Sequence, residues 1–197
     1  MTNQDFASDV DLIERARAGD QRAVSDLIAM HKHWLYRFIR RYVGDADEAQ
    51  DMLQESFVAA VLNLARYDIA RPFDIWLRRI ALNKCRDRAR RLAVRRAIGL
   101  ERRSAAAPED IVDPAAPADA SIETNEALRT LDQAIARLPA ALKEPLVLTA
   151  LEGLSQKEAG DILGLSAKAI EVRVYRAKRQ LALQLDREHF ADLLGSN

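Results

Sequence analysis

The stretch SAAAPEDIVDPAAPADASIET, residues 104–124, limits what this chain can fold into more than any other segment. It holds three of the chain's six prolines, and most of its other residues are small or acidic. Proline withholds a backbone donor, and small residues bury little apolar surface. The segment therefore gains too little from ordering to offset the entropy lost. It reads as an interdomain linker, drawn at 98–124 and expected to be flexible. It separates an N-terminal domain over 8–97 from a C-terminal domain over 125–186, with a short tail at 187–197.

Outside the linker, glycine and proline are scarce, and Ala, Leu, Arg and Glu dominate. These side chains lose little rotamer freedom in a helix. No period-two alternation suggests a strand. The expected fold class is all-α, two small helical domains. Helices are expected over Asp11–Ala18, Gln21–Tyr42, Ala46–Leu64 and Phe73–Arg91 or beyond. After the linker come Glu126–Arg137, a short helix after Leu138-Pro139 that ends at Glu152-Gly153, then Ser155–Leu163 and Ala167–Leu185.

The single cysteine, Cys85, permits no internal disulfide and no cysteine metal cluster, and fits a reducing cytoplasm. Cys85 reads as a core residue, and Trp34 and Trp76 as core anchors. His31 and His33 lie two apart on a helix and point to different sides, with no acid-x-x-His pair beside them, so no metal is expected. No phosphate loop, nucleophile elbow or catalytic dyad is present, so neither an enzyme nor a cofactor is expected. No apolar run is long enough to cross a bilayer, and the polar N-terminus does not resemble a secretory signal.

The formal net charge is zero, with 30 basic and 30 acidic residues, yet the charges are segregated. Residues 45–55 hold Asp45, Asp47, Glu48, Asp51 and Glu55 and no base. Asp47, Asp51 and Glu55 recur at i, i+4 and i+8, approximately opposite an apolar stripe of Ala49, Leu53, Phe57, Ala60, Val61 and Leu64. Like charges at that spacing repel. A solvated face explains them, and so does a docking face for a basic partner. Residues 71–103 are strongly basic. Within them Trp76, Leu77, Ile80, Ala81 and Cys85 make a buried stripe, while Arg79, Asn83, Arg86 and Arg90 line another face. That track suits phosphates and a base edge, or a solvated arginine-rich surface.

The stretch GLSQKEAGDILGLSAKAIEVRVYRAKR, residues 153–179, has the chemistry of a helix-turn-helix. Ser155 and Glu158 are spaced as a capping box, Gly164-Leu165 supplies a turn, and Ser166 caps the next helix. Gly160, in mid-helix, is explained if a second helix must come close there. Ile170, Val174, Ala177 and Leu181 form the buried stripe of the second helix. Lys168, Glu171, Val172, Tyr175, Arg176 and Arg179 lie on its other faces, where such a helix meets the major groove. Glu171 can accept from a cytosine amine or pair with a neighbouring arginine. An αα-hairpin with a solvated outer face is the plainer alternative.

Taken together, three segments resemble the sigma-70 family in its extracytoplasmic-function group, which keeps only regions 2 and 4. AQDMLQESFVAA (49–60) is similar to the region 2.2 signature, WLRRIALNKCRDRAR (76–90) to the region 2.3–2.4 helix, and residues 138–181 to region 4. The resemblance implies a bacterial, cytoplasmic factor that binds core RNA polymerase and directs transcription initiation. Asp47, Asp51, Gln54 and Glu55 would dock on the clamp coiled coil of the largest subunit. The loop Ala65–Phe73 would hold a flipped base of the −10 element, with Arg79, Asn83, Arg86 and Arg90 facing that DNA. Lys168, Glu171, Val172, Tyr175, Arg176 and Arg179 would face the −35 element, and region 4 would also sit on the flap of the second-largest subunit. An anti-sigma partner is implied. Glu171, Val172 and Tyr175 depart from the residue types common in the family, which leaves the −35 sequence open. One rival reading is an autonomous helix-turn-helix regulator that needs no polymerase. Another is a carboxylate-bridged metal enzyme using Asp47, Glu48, Asp51, Glu55 and the histidines, against which the lack of an acid-x-x-His pair on two helices argues.

Overall fold

The computed structural model describes residues 3–98 and 122–195, with side chains described over 9–95, 97–98 and 130–185. The expected linker falls, apart from its ends, outside the described residues. Helices α1 (Asn3–Arg17), α2 (Gln21–Val43), α3 (Ala46–Asn63) and α4 (Phe73–Ala97) come first, with a single tight turn of helix at Leu64–Arg66 between α3 and α4. Then follow α5 (Ile122–Arg137), α6 (Ala140–Leu146), a wide turn of helix at Val147–Leu151, α7 (Gln156–Leu163) and α8 (Ala167–Gly195). No strand occurs among the described residues. Two compact units emerge, Met1–Arg40 with Asp45–Ala107, and Arg41–Gly44 with Pro108–Asn197.

In the first unit α3 packs along α4. Ala49, Met52, Leu53, Ser56, Phe57 and Ala60 are buried on α3, and Phe73, Leu77, Ala81, Leu82 and Cys85 on α4. The stripe expected on α3 is shifted. Val61 is 40% exposed, and Met52 and Ser56 are inside instead. The buried arc is centred on the i, i+3, i+4 set from Ala49 to Ala60, and Val61 lies one residue past its edge.

The starts of α2 and α3 are set by aspartates. Asp20 Oδ1 accepts the N–H groups of Arg22 and Ala23 at 2.9 and 3.2 Å, while Asp20 Oδ2 accepts from Arg15. The hydrogen bond from Arg15 and the N–H groups of the cap hold the Asp20 carboxyl below its ordinary range. Asp45 accepts the Glu48 N–H at 2.8 Å. These bonds satisfy donors that have no partner in the first helical turn.

α1 starts eight residues earlier than the sequence pattern suggests, and this brings Asp9 inside. Asp9 and His31 are 2% and 4% exposed, and Asp9 Oδ1 lies 2.9 Å from His31 Nε2. Trp34 Nε1 donates to His31 Nδ1 at 3.0 Å, so Nδ1 carries no proton and Nε2 donates to the carboxylate. His31 is thus a buried structural histidine that joins α1 to α2.

In the second unit α5, α6 and α7 pack on α8. Pro145 lies inside α6 and has no N–H to continue the ladder. The wide turn follows directly, with the Glu152 N–H bonded to Val147 O at 3.0 Å. α8 runs on to Gly195, because residues 182–194 contain no glycine or proline to stop it.

The capping box of α7 is complete. The Ser155 hydroxyl accepts the Glu158 N–H at 3.2 Å, and the Ser155 N–H donates to the Glu158 carboxylate at 2.8 Å. α7 ends at Gly164 in the left-handed conformation, φ +70°. A Cβ on Gly160 would lie 2.5 Å from the carbonyl oxygen of Leu165, in the turn that leads into α8. Gly160 is therefore required by the closeness of the turn, a backbone contact that cannot give way as a side chain would. Gly160→Ala is expected to destabilise the second unit by about 1–3 kcal/mol despite alanine's better helix propensity. Urea unfolding of the full chain, followed by the loss of helical signal, measures this. An unchanged or raised midpoint would show that the turn can relax.

Candidate functional site

Three surfaces carry the residues singled out from the sequence. The first is the outer face of α3. Asp47, Asp51 and Gln54 are exposed there, at i, i+4 and i+7. Glu55 is placed differently. Its carboxylate lies 3.8 Å from Lys84 Nζ and 3.7 Å from Arg91 Nη2, both on α4. Glu48 likewise lies 3.3 Å from Arg88 Nη2. The acidic helix thus has two flanks. One is neutralised by α4, and the other keeps Asp47, Asp51 and Gln54 at the surface. The outer face continues into Val58 and Leu62, which are 60% and 77% exposed.

The second surface belongs to α4 and the loop before it. Arg79, Asn83 and Arg90 are exposed and Arg86 is half-buried. Arg86 Nη1 lies 3.5 Å from the Asn83 carboxamide oxygen, and Arg90 pairs with Asp87. The neighbouring Arg78 does not join this track. It is 8% exposed, bonds Asp74 at 2.6 Å, and lies over the Trp34 ring at 4.4 Å. Trp34 and Trp76 are half-buried. Cys85 is a buried free thiol.

The loop Ala65–Phe73 is built on aromatic rings. Tyr67 and Phe73 are buried, with ring centroids 5.4 Å apart, and Trp76 packs on both, at 4.9 Å from Tyr67 and 5.4 Å from Phe73. Burial, with Asp9 adding to it, pushes the Tyr67 phenol up to about 12. Its hydroxyl donates to Arg71 O across the loop. Asp68 makes the turn, accepting the Ala70 N–H at 3.1 Å on its carboxylate and the Arg71 N–H at 3.0 Å on its carbonyl. The residues between the aromatic ends, Asp68, Ala70, Arg71 and Pro72, face solvent.

The third surface is the N-terminal half of α8. Ile170, Ala177 and Leu181 are buried behind it, with Val174 half-buried, as the spacing predicts. Lys168, Glu171, Val172, Tyr175, Arg176 and Arg179 are all exposed, Tyr175 at 68%. Ser166 Oγ accepts the Ala169 N–H at 3.2 Å and starts the helix. Glu171 pairs with Lys168, at 2.9 Å, rather than with an arginine. One turn of helix brings the two side chains together.

No group of three or more His, Cys, Asp or Glu that could hold a metal occurs among the described residues. None of the described helices is long and apolar enough to cross a membrane.

Comparison with known proteins places these surfaces in context. Residues 27–95 match the family model for sigma-70 region 2, and residues 128–181 the model for sigma-70 region 4. The chain is 32% identical over 181 residues to the ECF RNA polymerase sigma factor SigW of Bacillus subtilis, an alignment covering 88% of this chain and 94% of SigW. It is 36% identical over 181 residues to the RNA polymerase sigma factor CnrH of Cupriavidus metallidurans, covering 89% of this chain and 93% of CnrH. A solved structure of CnrH in complex with the cytosolic domain of CnrY matches with a TM-score of 0.65 at 32% identity, over 91% of this chain and 98% of that one.

The pair at the front of α8 is exposed on both sides, 76% for Lys168 and 50% for Glu171, so water screens it. Lys168→Ala is expected to change unfolding stability by less than about 0.5 kcal/mol. Thermal melting of the variant checks this. A larger loss would mean that Lys168 supports the fold, and its contribution to ligand binding could then not be read from the same substitution.

Proposed function

We propose a function that proceeds from one premise: the chain belongs to the sigma-70 family of RNA polymerase sigma factors, in its extracytoplasmic-function group. It binds core RNA polymerase and directs promoter recognition, performing no bond chemistry of its own. It works where the polymerase works, in the cytoplasm of a bacterial cell.

The first unit meets both polymerase and DNA. The exposed flank of α3, with Asp47, Asp51 and Gln54, docks on a basic face of the largest subunit's clamp coiled coil. Glu55 contributes from its edge, since α4 already draws on its charge. The loop Ala65–Phe73 receives a flipped base of the −10 element, and Arg79, Asn83, Arg86 and Arg90 carry the flanking phosphates and base edges. The second unit sits on the flap of the second-largest subunit. It sets α8 into the major groove of the −35 element, with Lys168, Glu171, Val172, Tyr175, Arg176 and Arg179 at the DNA.

The observation that carries this reading is that one short chain holds a capped helix-turn-helix and a separate unit bearing an acidic and a basic face. A regulator acting on DNA alone would use the first and leave the second idle. Control by a protein partner is part of the proposal. CnrH has been solved bound to the cytosolic domain of CnrY. This chain exposes large apolar side chains at Val58, Leu62, Val172 and Tyr175, which a similar anti-sigma partner would cover.

Replacing Asp47 and Asp51 together by lysine is expected to weaken binding to core polymerase about tenfold or more, with the loss growing as salt is lowered, while helical content is unchanged. Titration of core enzyme against labelled chain measures it. Equal affinity for the variant and the parent chain would remove α3 from the docking surface.

A further inference from the structure

We infer that Arg17, the last residue of α1, is a positioning residue for the loop Ala65–Phe73. The inference rests on the proposal that this loop reads the −10 element, and it adds a residue that lies before the segment matched to region 2.

Arg17 reaches the loop from 47 and 50 residues away in sequence. Its Nε donates to Leu64 O at 3.0 Å, and its Nη2 donates to Tyr67 O. Its guanidinium carbon lies 5.9 Å from the centroid of the Tyr67 ring. Leu64 opens the tight helical turn that follows α3, and Tyr67 is the first residue after that turn. Leu64 O already accepts the Tyr67 N–H at 3.1 Å, so Arg17 takes its second lone pair and also the carbonyl just beyond the turn. A planar fork with fixed donor directions bridges the two carbonyls and fixes the angle between the end of α3 and the loop.

The rest of the loop depends on that angle. Tyr67 is the first of the packed rings, edge-on to Phe73 and tilted against Trp76, and its hydroxyl bonds back to Arg71 O. Rotating the Tyr67 peptide would therefore move the turn made by Asp68 and the solvent-facing residues through Pro72. Leu12, Ile13 and the buried Asp9–His31 pair fix the same face of α1 in the turns before Arg17. Arg17 is thus carried to the loop by a helix whose place other contacts also set. A site that must select one base needs its backbone held by neighbours.

The test uses holoenzyme reconstituted from core polymerase and the full chain, carrying Arg17→Gln, Arg17→Lys or Ile69→Ala, a substitution within the loop. Open-complex formation is followed by permanganate reactivity on the promoter that the parent chain prefers, and on versions substituted at each −10 position. Arg17→Gln is expected to lower the preference for the native −10 sequence about fivefold, with core affinity and thermal midpoint near those of the parent chain. Arg17→Lys is expected to recover only part of the preference, because an ammonium does not reproduce the fork. An equal loss on every −10 sequence would mean that Arg17 contacts phosphate or merely stabilises the fold, and would overturn the inference. If Ile69→Ala alters −10 preference and Arg17→Gln does not, the loop is the reader and Arg17 does not position it. If neither alters −10 preference, the assignment of the loop fails and the inference falls with it.

Discussion

The apolar seam between α3 and α4 is the constraint on which the first unit depends. Phe57 and Leu53 on one helix and Leu77, Ala81 and Cys85 on the other are withdrawn from water. Helices that pack in this way must place their flanking residues beside one another. The flanks of α3 are acidic and those of α4 basic, so burial of the seam brings Glu48 to Arg88 and Glu55 to Lys84 and Arg91. These pairs are partly exposed and add little to stability. Their effect is to sort charge. The acids that remain at the surface, Asp47 and Asp51, lie away from α4, and Arg79 and Asn83 are presented on α4. A chain with no net charge thereby carries two faces of opposite character, which the proposed function assigns to a protein and to nucleic acid.

In the second unit the comparable constraint is the closeness of a turn. Gly160 lets the carbonyl of Leu165 approach α7, Gly164 takes the left-handed conformation that ends it, and Ser166 starts α8 at once. Those choices fix the direction of α8 relative to α7. Ile170, Ala177 and Leu181 then fix its rotation. Nothing further is needed to decide which side chains face outward, and the outward set mixes Lys168, Arg176 and Arg179 with Glu171, Val172 and Tyr175. Such a front carries hydrogen-bonding and apolar groups for base edges rather than charge alone.

Local patterns made much of this legible in the sequence. The capping box of Ser155 and Glu158, the stop at Gly164, the stripe from Ile170 to Leu181 and the extent of α2 and α3 all follow from short-range rules about donors, torsions and helical period. Contacts between distant residues were not legible. Asp9 and His31 are 22 positions apart and Arg17 and Tyr67 are 50 apart, and no periodicity links either pair. The same holds for Glu55, whose spacing matches that of Asp47 and Asp51 while its partners sit on another helix. Arg78 looked like one more base in a basic helix until Asp74 and the Trp34 ring took it inward. The wide turn at Val147–Leu151 was not legible either, since the N–H that Pro145 lacks would have served a carbonyl in the turn before it, not the one that widens.

The central claim is that the two units act together on a polymerase and not separately on DNA. Run-off transcription by core polymerase on a randomised promoter library, with and without the chain, measures this most directly. Specific start sites that need both the chain and the core enzyme, with sequence preference in two separate blocks upstream of the start, are the predicted result. Selection of the same sequences by the chain alone, with equal preference and no stimulation of core enzyme, would contradict it.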